Sequence, residues 1–350
     1  MALEIRENVS LAKFTTLKIG GKARYFCSAQ TEDEVREAVE FAEQYNLQIF
    51  ILGGGSNVLI ADKGFQGLVL QIALQGISTS TKDDKTVYVT AAAGEDWDHF
   101  VGFCVNKNLA GVECLSGIPG LIGGTPVQNV GAYGQEVSET IVSVRVFDRK
   151  KKTFADLLNE QCDFAYRASI FNTIQKERYI VLAVTYSLTP GGNAQISYRD
   201  LLQFFGEKKP SLQETRQAVL KIRAKKSMVI DEKDVNSKSA GSFFKNPLVS
   251  NEKYLEIKER ARSFNREDLP NFIVNEKSVK IPAAWLIENS GFHKGYARGQ
   301  AGISTNHTLA LVNHGKATAQ DIIELMREIQ TKVLKAFGIL LMPEPVFVGF

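Results

Sequence analysis

The hydrophobic spacing changes period along the chain. Residues 23–29, "ARYFCSA", read as a strand. In "TEDEVREAVEFAEQY", 31–45, Val35, Ala38, Val39, Ala42 and Tyr45 recur at helical spacing, behind a capping box of Thr31 and Glu34. "LQIFIL", 47–52, is an apolar strand that ends in "GGGSN". This β-α-β unit predicts a small α/β lobe.

From 68 to 93 the pattern is strand-like, with "GLVLQI" and "KTVYVTAAA" separated by the polar turn "TKDD". "EDWDHFVGFCVNKN" predicts a helix with Trp97, Phe100, Val101, Cys104 and Val105 on one side. "IVSVRVF", "KTFADL" and "RYIVLAVTYSL" read as strands, with "RKKK" at 149–152 as a solvated hairpin turn and "PGGNAQ" as another turn. A second capping box, Ser211 with Glu214, opens a helix in "SLQETRQAVLKIRAKK". Helices follow in "NEKYLEIKERARSF", 251–264, in "IPAAWLIENSG", and in "ATAQDIIELMREIQTKVLKAFG", capped by Thr318 and Asp321 and stopped by Gly338. The chain ends in a strand interrupted by prolines, "ILLMPEPVFVGF". Strands and helices that do not alternate strictly predict an α+β fold.

Composition narrows the function. The 350 residues suffice for two or three domains, and 23% charged residues is ordinary for a globular protein. A net charge of +3 without a clustered basic face argues against nucleic acid. No run approaches a membrane span, and the charged N-terminus is not a secretory signal, so a cytoplasmic protein is expected. Cys27, Cys104, Cys114 and Cys162 lack C-x-x-C spacing and read as reduced, buried thiols. The four histidines lack ligand spacing, and no metal is expected.

Two glycine-rich segments carry the chemistry. "LGGGSNVL", 52–59, can converge backbone N–H groups on an anion, with Ser56 and Asn57 as further donors. It lacks the G-K-[ST] of a P-loop and the spacing of a Rossmann fingerprint. "SGIPGLIGGTPVQNVGAYG" holds six glycines and two prolines between Gly117 and Gly134, beyond the needs of a turn. Two such loops suit a long ligand with a pyrophosphate in its middle, and FAD has that shape.

These loops, with "FTTLKIGGKA", "FAYRASIF", "SAGSFFKNP" and the final "PEP", resemble the UDP-N-acetylenolpyruvoylglucosamine reductase family, in its longer subtype with a tyrosine-bearing lid loop. The resemblance runs from about 14 to 349. It implies an FAD-binding fold of the vanillyl-alcohol-oxidase type in two lobes, 1–70 and 71–226. The C-terminal strand 339–350 joins the second lobe, and 227–338 forms an α+β substrate-binding domain. The implied reaction is reduction of UDP-N-acetylglucosamine enolpyruvate to UDP-N-acetylmuramate for the bacterial cell wall. The implied cofactor is non-covalent FAD, with NADPH as hydride donor, in a monomer.

The resemblance also assigns residues. FAD would lie against Gly53, Gly54, Gly55, Ser56 and Asn57, against Ser116, Gly117, Ile118 and Pro119, against Gly123, Gly124 and Thr125, and along Gln128, Asn129, Gly131, Ala132 and Tyr133. Arg167 would pair with the substrate carboxylate, as guanidinium does bidentately. Ser242 would donate a proton to carbon, aided by a positive field for which Lys245, Lys226 and Arg223 are candidates. Glu344 would stabilise the enol-like intermediate or deliver protons; Met342 and Pro345 beside it depart from the family pattern. Tyr198, Lys226 and Asn246 would bind the UDP pyrophosphate, Tyr166 would line the substrate, and His307 falls where the family has a polar contact. Phe243 and Phe244 read as packing. A flavin oxidase of the same fold would often hold FAD through histidine, and neither glycine loop has one. A binder without catalysis would not need Arg167, Ser242 and Glu344 together.

Overall fold

In the computed structural model, which describes residues 3–263, 266 and 268–350, the chain divides into two compact units. The first comprises residues 1–9, 23–55 and 65–229. Its parallel sheet carries the strands Lys22–Ala29, Phe65–Ile72 and Ile49–Leu52 in that order, with Arg6–Ser10 at the edge. Phe65–Ile72 therefore stands between the two strands of the expected β-α-β unit. Helix Glu32–Gln44 buries Val35, Ala38, Val39 and Ala42, and Thr31 caps it by accepting from the Glu34 N–H.

An antiparallel sheet follows, in the order Thr153–Leu158, Ile141–Asp148, Tyr179–Pro190, Thr86–Ala92 and Ile77–Asp83, with Leu109–Ala110 added to the long strand. Ile77–Asp83 absorbs much of the expected "TKDD" turn, which moves on to residues 84–85. Beyond Ile77 every residue of that edge strand is exposed, so no hydrophobic alternation marks it. The "RKKK" turn is held by Asp148, which accepts from Lys150 and Lys151 N–H and pairs with Arg178 at 2.7 Å. Helix Trp97–Asn106 buries the expected face. A further helix, Arg199–Phe205, has only Leu201 buried and escapes periodicity.

The second unit comprises residues 10–22, 56–64 and 230–350. The first two of these segments belong to it because Leu17, Ile19 and Leu59 join its core. Its sheets are Ser239–Ser242, Ala310–Asn313, Ala301–Ile303 and Ala297–Arg298, and a smaller set of Leu248–Ser250, Ser278–Lys280 and Phe272–Asn275. Helix Ala319–Phe337 buries Ile322, Leu325, Met326, Ile329, Val333 and Phe337, between the expected Thr318–Asp321 box and Gly338 with φ 69°. The expected helix over 251–264 is Asn251–Ser263; residue 264, like the first two of the chain, lies outside the described residues. The C-terminal strand, expected beside 71–226, is short: Val346–Val348 pairs in parallel with Val58–Ile60.

All four cysteines are free and buried, and burial pushes Cys27, Cys104 and Cys162 up to about 12. Among the described residues no helix is long and apolar enough to cross a membrane.

Candidate active site

Within the first unit the two glycine loops meet. A Cβ on Gly54 would stand 2.8 Å from the Gly120 Cα and 3.3 Å from the Leu121 nitrogen, so glycine is required there for the loops to touch. Gly53 and Gly124 differ: a Cβ on either meets no protein atom within 4 Å, and neither has a positive φ. The fold itself does not demand glycine at those two positions. A flat or anionic ligand lying against the backbone would.

Side chains in the second loop mostly hold the loop. The Ser116 hydroxyl donates to Glu113 O at 2.7 Å, and that of Thr125 to Ile122 O at 2.8 Å. Asn129, 1% exposed, donates to Glu136 and to Ala165 O and accepts from Ser138 N–H. Of these three expected cofactor residues, the structure thus engages the side chains internally. The Gly117 N–H donates to Asp98 at 2.6 Å, and the Gly117 carbonyl accepts from Arg223 at 3.1 Å.

Two tight turns follow. Gly131–Ala132 pairs with Gln135–Glu136, and the two linking residues, Tyr133 (φ 50°) and Gly134 (φ 86°), are both left-handed, as a type I′ hairpin turn requires. The other turn is closed by reciprocal hydrogen bonds between Ala165 and Ala168, with Tyr166 and Arg167 at its tip. Arg167 has φ 56°, a conformation normally left to glycine or asparagine. Its Nη2 donates to Gly131 O at 2.9 Å, and its guanidinium lies 5.3 Å from the Tyr166 ring centroid.

Beside these turns lie Tyr198, whose ring meets that of Tyr133 edge-on at 5.4 Å, and Lys226, which pairs with Asp200 at 2.6 Å. Burial pushes the Tyr133 phenol up to about 12, with Arg223 pulling the other way and Asp200 adding to the rise. Tyr198 is raised by burial, then by Asp200 and Tyr166. The first unit therefore brings Tyr133, Tyr166, Arg167, Tyr198 and Lys226 into one neighbourhood. Asp200 belongs to it too; as one acid in an exposed-looking stretch, it carried no signal in sequence.

The second unit gathers another set. Ser239–Ser242 pairs with Ala310–Asn313 through a register shift, with Gly241 at φ 71°. A bulge of this kind re-aims the next side chain, here Ser242. Beyond it Phe243 and Phe244 are 0% and 1% exposed and stack edge-on at 5.5 Å, which fixes the backbone as expected. Residues 243–245 then run antiparallel to 342–344: Glu344 N–H donates to Phe243 O and Lys245 N–H to Met342 O, each at 2.9 Å. Asn57 joins the same ladder, accepting from Val346 N–H and donating to Glu344 O. Asn246 accepts from Ala283 N–H at the start of helix Ala283–Glu288. His307 Nδ1 accepts from Leu309 N–H within its own turn.

A model of the UDP-N-acetylenolpyruvoylglucosamine reductase C-terminal domain matches residues 233–348, and an FAD binding domain model matches 23–154. The UDP-N-acetylenolpyruvoylglucosamine reductase of Thermobifida fusca is 43% identical over 100% of this chain and 99% of its own length. The chain belongs to the UDP-N-acetylenolpyruvoylglucosamine reductase family. The Streptomyces coelicolor reductase is 44% identical over 97% of the chain and 89% of its own. The crystal structure of the reductase (MurB) from Thermus caldophilus superposes with a TM-score of 0.66, at 26% identity and 99% coverage of both chains.

Both glycine loops of this reductase-family chain fall inside the FAD-binding match, and open space at Gly53 and Gly124 fits a cofactor against the backbone there. The match to the C-terminal domain covers Ser242, Asn246, His307 and Glu344. Gly120 was not singled out from sequence as a loop contact. Its only signal was its place in "IPGLIGG".

Proposed function

We propose that this chain reduces UDP-N-acetylglucosamine enolpyruvate to UDP-N-acetylmuramate with NADPH, through bound FAD, in the cytoplasm and as a monomer. Full-length membership of the reductase family carries this reading. The two larger sheets of the first unit are the lobes of the FAD-binding fold, and the second unit supplies the substrate-binding domain.

FAD, when bound, supplies the two-electron link between NADPH and the enol ether. The glycine loops hold it without a covalent bond, since neither contains a histidine. Reduction adds hydride to one alkene carbon and drives negative charge onto the conjugated carboxylate. Arg167 pairs with that carboxylate, its backbone kept left-handed by the closed turn. Glu344 sits at the enol-like centre, its backbone pinned to Phe243. Ser242 gives its proton to the second carbon and is recharged from water. Tyr198, Lys226 and Asn246 hold the diphosphate, and Tyr166 lines the sugar side.

The test is two-step spectroscopy on the purified protein. A yellow protein that NADPH bleaches, and that the enolpyruvyl UDP-sugar recolours, supports the reading. A protein that cannot be loaded with FAD refutes it.

A further inference from the structure

We propose that Asp200 competes with the nucleotide's diphosphate for Lys226, and so limits how tightly and how long the nucleotide is held. This rests on the reading of Lys226 as a diphosphate ligand. Asp200 Oδ2 stands 2.6 Å from Lys226 Nζ, and the two side chains are 31% and 37% exposed, so an arriving anion can reach both. Arg223 offers no alternative partner of equal freedom, because it donates to the carbonyls of Gly117 and Met228. A phosphate taken by Lys226 while Asp200 stays would place two anions side by side near a half-buried surface, where their repulsion is stronger than in water.

The geometry lets the carboxylate yield. Asp200 lies in the first turn of the seven-residue helix Arg199–Phe205, whose start carries no side-chain cap and whose one buried residue is Leu201. Tyr198 precedes it directly, and its ring rests on Tyr133. The ion pair thus joins the end of helix Leu212–Lys225 to a weakly anchored segment. When nucleotide leaves, Asp200 re-pairs with Lys226 and opposes rebinding.

The experiment titrates the FAD-loaded protein with UDP by calorimetry and follows UDP release by rapid mixing. Asp200→Asn should bind UDP about two- to fivefold tighter, the range for a pair this exposed, and release it more slowly. Asp200→Ser, which also removes the charge, should do the same. Lys226→Gln should weaken UDP binding, and adding Asp200→Asn to it should tighten binding by less than Asp200→Asn does in the native chain. Unchanged or weaker UDP binding in Asp200→Asn and Asp200→Ser, with Lys226→Gln still weakened, overturns the proposal and leaves the reading of Lys226 intact. Unaltered UDP binding in Lys226→Gln overturns that reading and the proposal with it.

Discussion

Arg167 donates from Nη2 to the carbonyl of Gly131 at 2.9 Å, and so ties together two turns, each with a large side chain in left-handed backbone. Arginine at φ 56° and tyrosine at φ 50° are each disfavoured by about 1 kcal/mol or more. Arg167→Gly should therefore relieve strain while losing the hydrogen bond to Gly131 O and the contact with the Tyr166 ring, opposing terms that partly offset. Its unfolding midpoint should stay near that of the native chain, while turnover of the enolpyruvyl UDP-sugar collapses. A large loss of stability, measured by urea unfolding, would make Arg167 chiefly a strut between the turns.

The glycines divide by their surroundings. Gly53→Ala and Gly124→Ala place a methyl in space the protein leaves open, so the apo protein should unfold as before while FAD content drops. Gly54→Ala drives a methyl into the Gly120 backbone and should lower both. Flavin absorbance per chain and the unfolding of the apo form check this. Full FAD loading in Gly53→Ala and Gly124→Ala would remove those two positions from the cofactor site.

The second loop was legible in the sequence because six glycines in one irregular stretch have no use in a simple turn, and it gave the first, which alone reads equally well as a structural turn, its weight. What was not legible is how the space around each is filled. Gly54 reads like Gly53 in "GGGSN", yet it packs against a residue 66 positions away by sequence number. The capping boxes at Ser211 and Thr318 were readable because their partners lie three residues on; at Thr31 only the N-cap half forms, because the Glu34 carboxylate accepts from Gln30 N–H. Residues 10–22 and 56–64 looked like parts of the first lobe because neighbours in sequence are usually neighbours in space. Their burial of Leu17, Ile19 and Leu59 in the other core is a long-range fact. The strain at Arg167 is a backbone property, and a motif match shows only the side chain.

Asp148 gives a pH signature. It is 3% exposed, and the Arg178 guanidinium, then the N–H groups of Lys151 and Lys150, hold its carboxyl below the ordinary range. A depressed folded value stabilises the fold above the unfolded pKa of about 3.9, and that contribution is lost as pH falls through the folded value. Asp148→Asn should cost about 1.5 kcal/mol at pH 7, and the gap from the native chain should narrow below about pH 4. Denaturant midpoints at a series of pH values check it. A gap that stays constant into acid would show that the charge on Asp148 contributes nothing.

Ser242 offers the sharpest test of the chemistry. The bulge at Gly241 turns its side chain, and the buried Phe243 and Phe244 hold the backbone just beyond it, so the hydroxyl itself carries little structure. Ser242→Ala should unfold within about 0.5 kcal/mol of the native chain. NADPH should still bleach the bound FAD at a near-normal rate, because no proton from Ser242 enters that step. Recolouring by the enolpyruvyl UDP-sugar should slow by roughly 10²–10⁴-fold, the usual contribution of a positioned proton donor. Ser242→Cys should recover part of the loss, since a thiol is the stronger acid and the same atom position is filled. Affinity for the UDP-sugar should change little, because in the proposed role the hydroxyl meets a carbon and no charged group. A serine that only shapes the turn gives another pattern: both half-reactions, FAD content and stability fall together. Rapid-mixing absorbance of the two half-reactions separates the cases, and equal slowing of both, or of neither, would remove Ser242 as the acid.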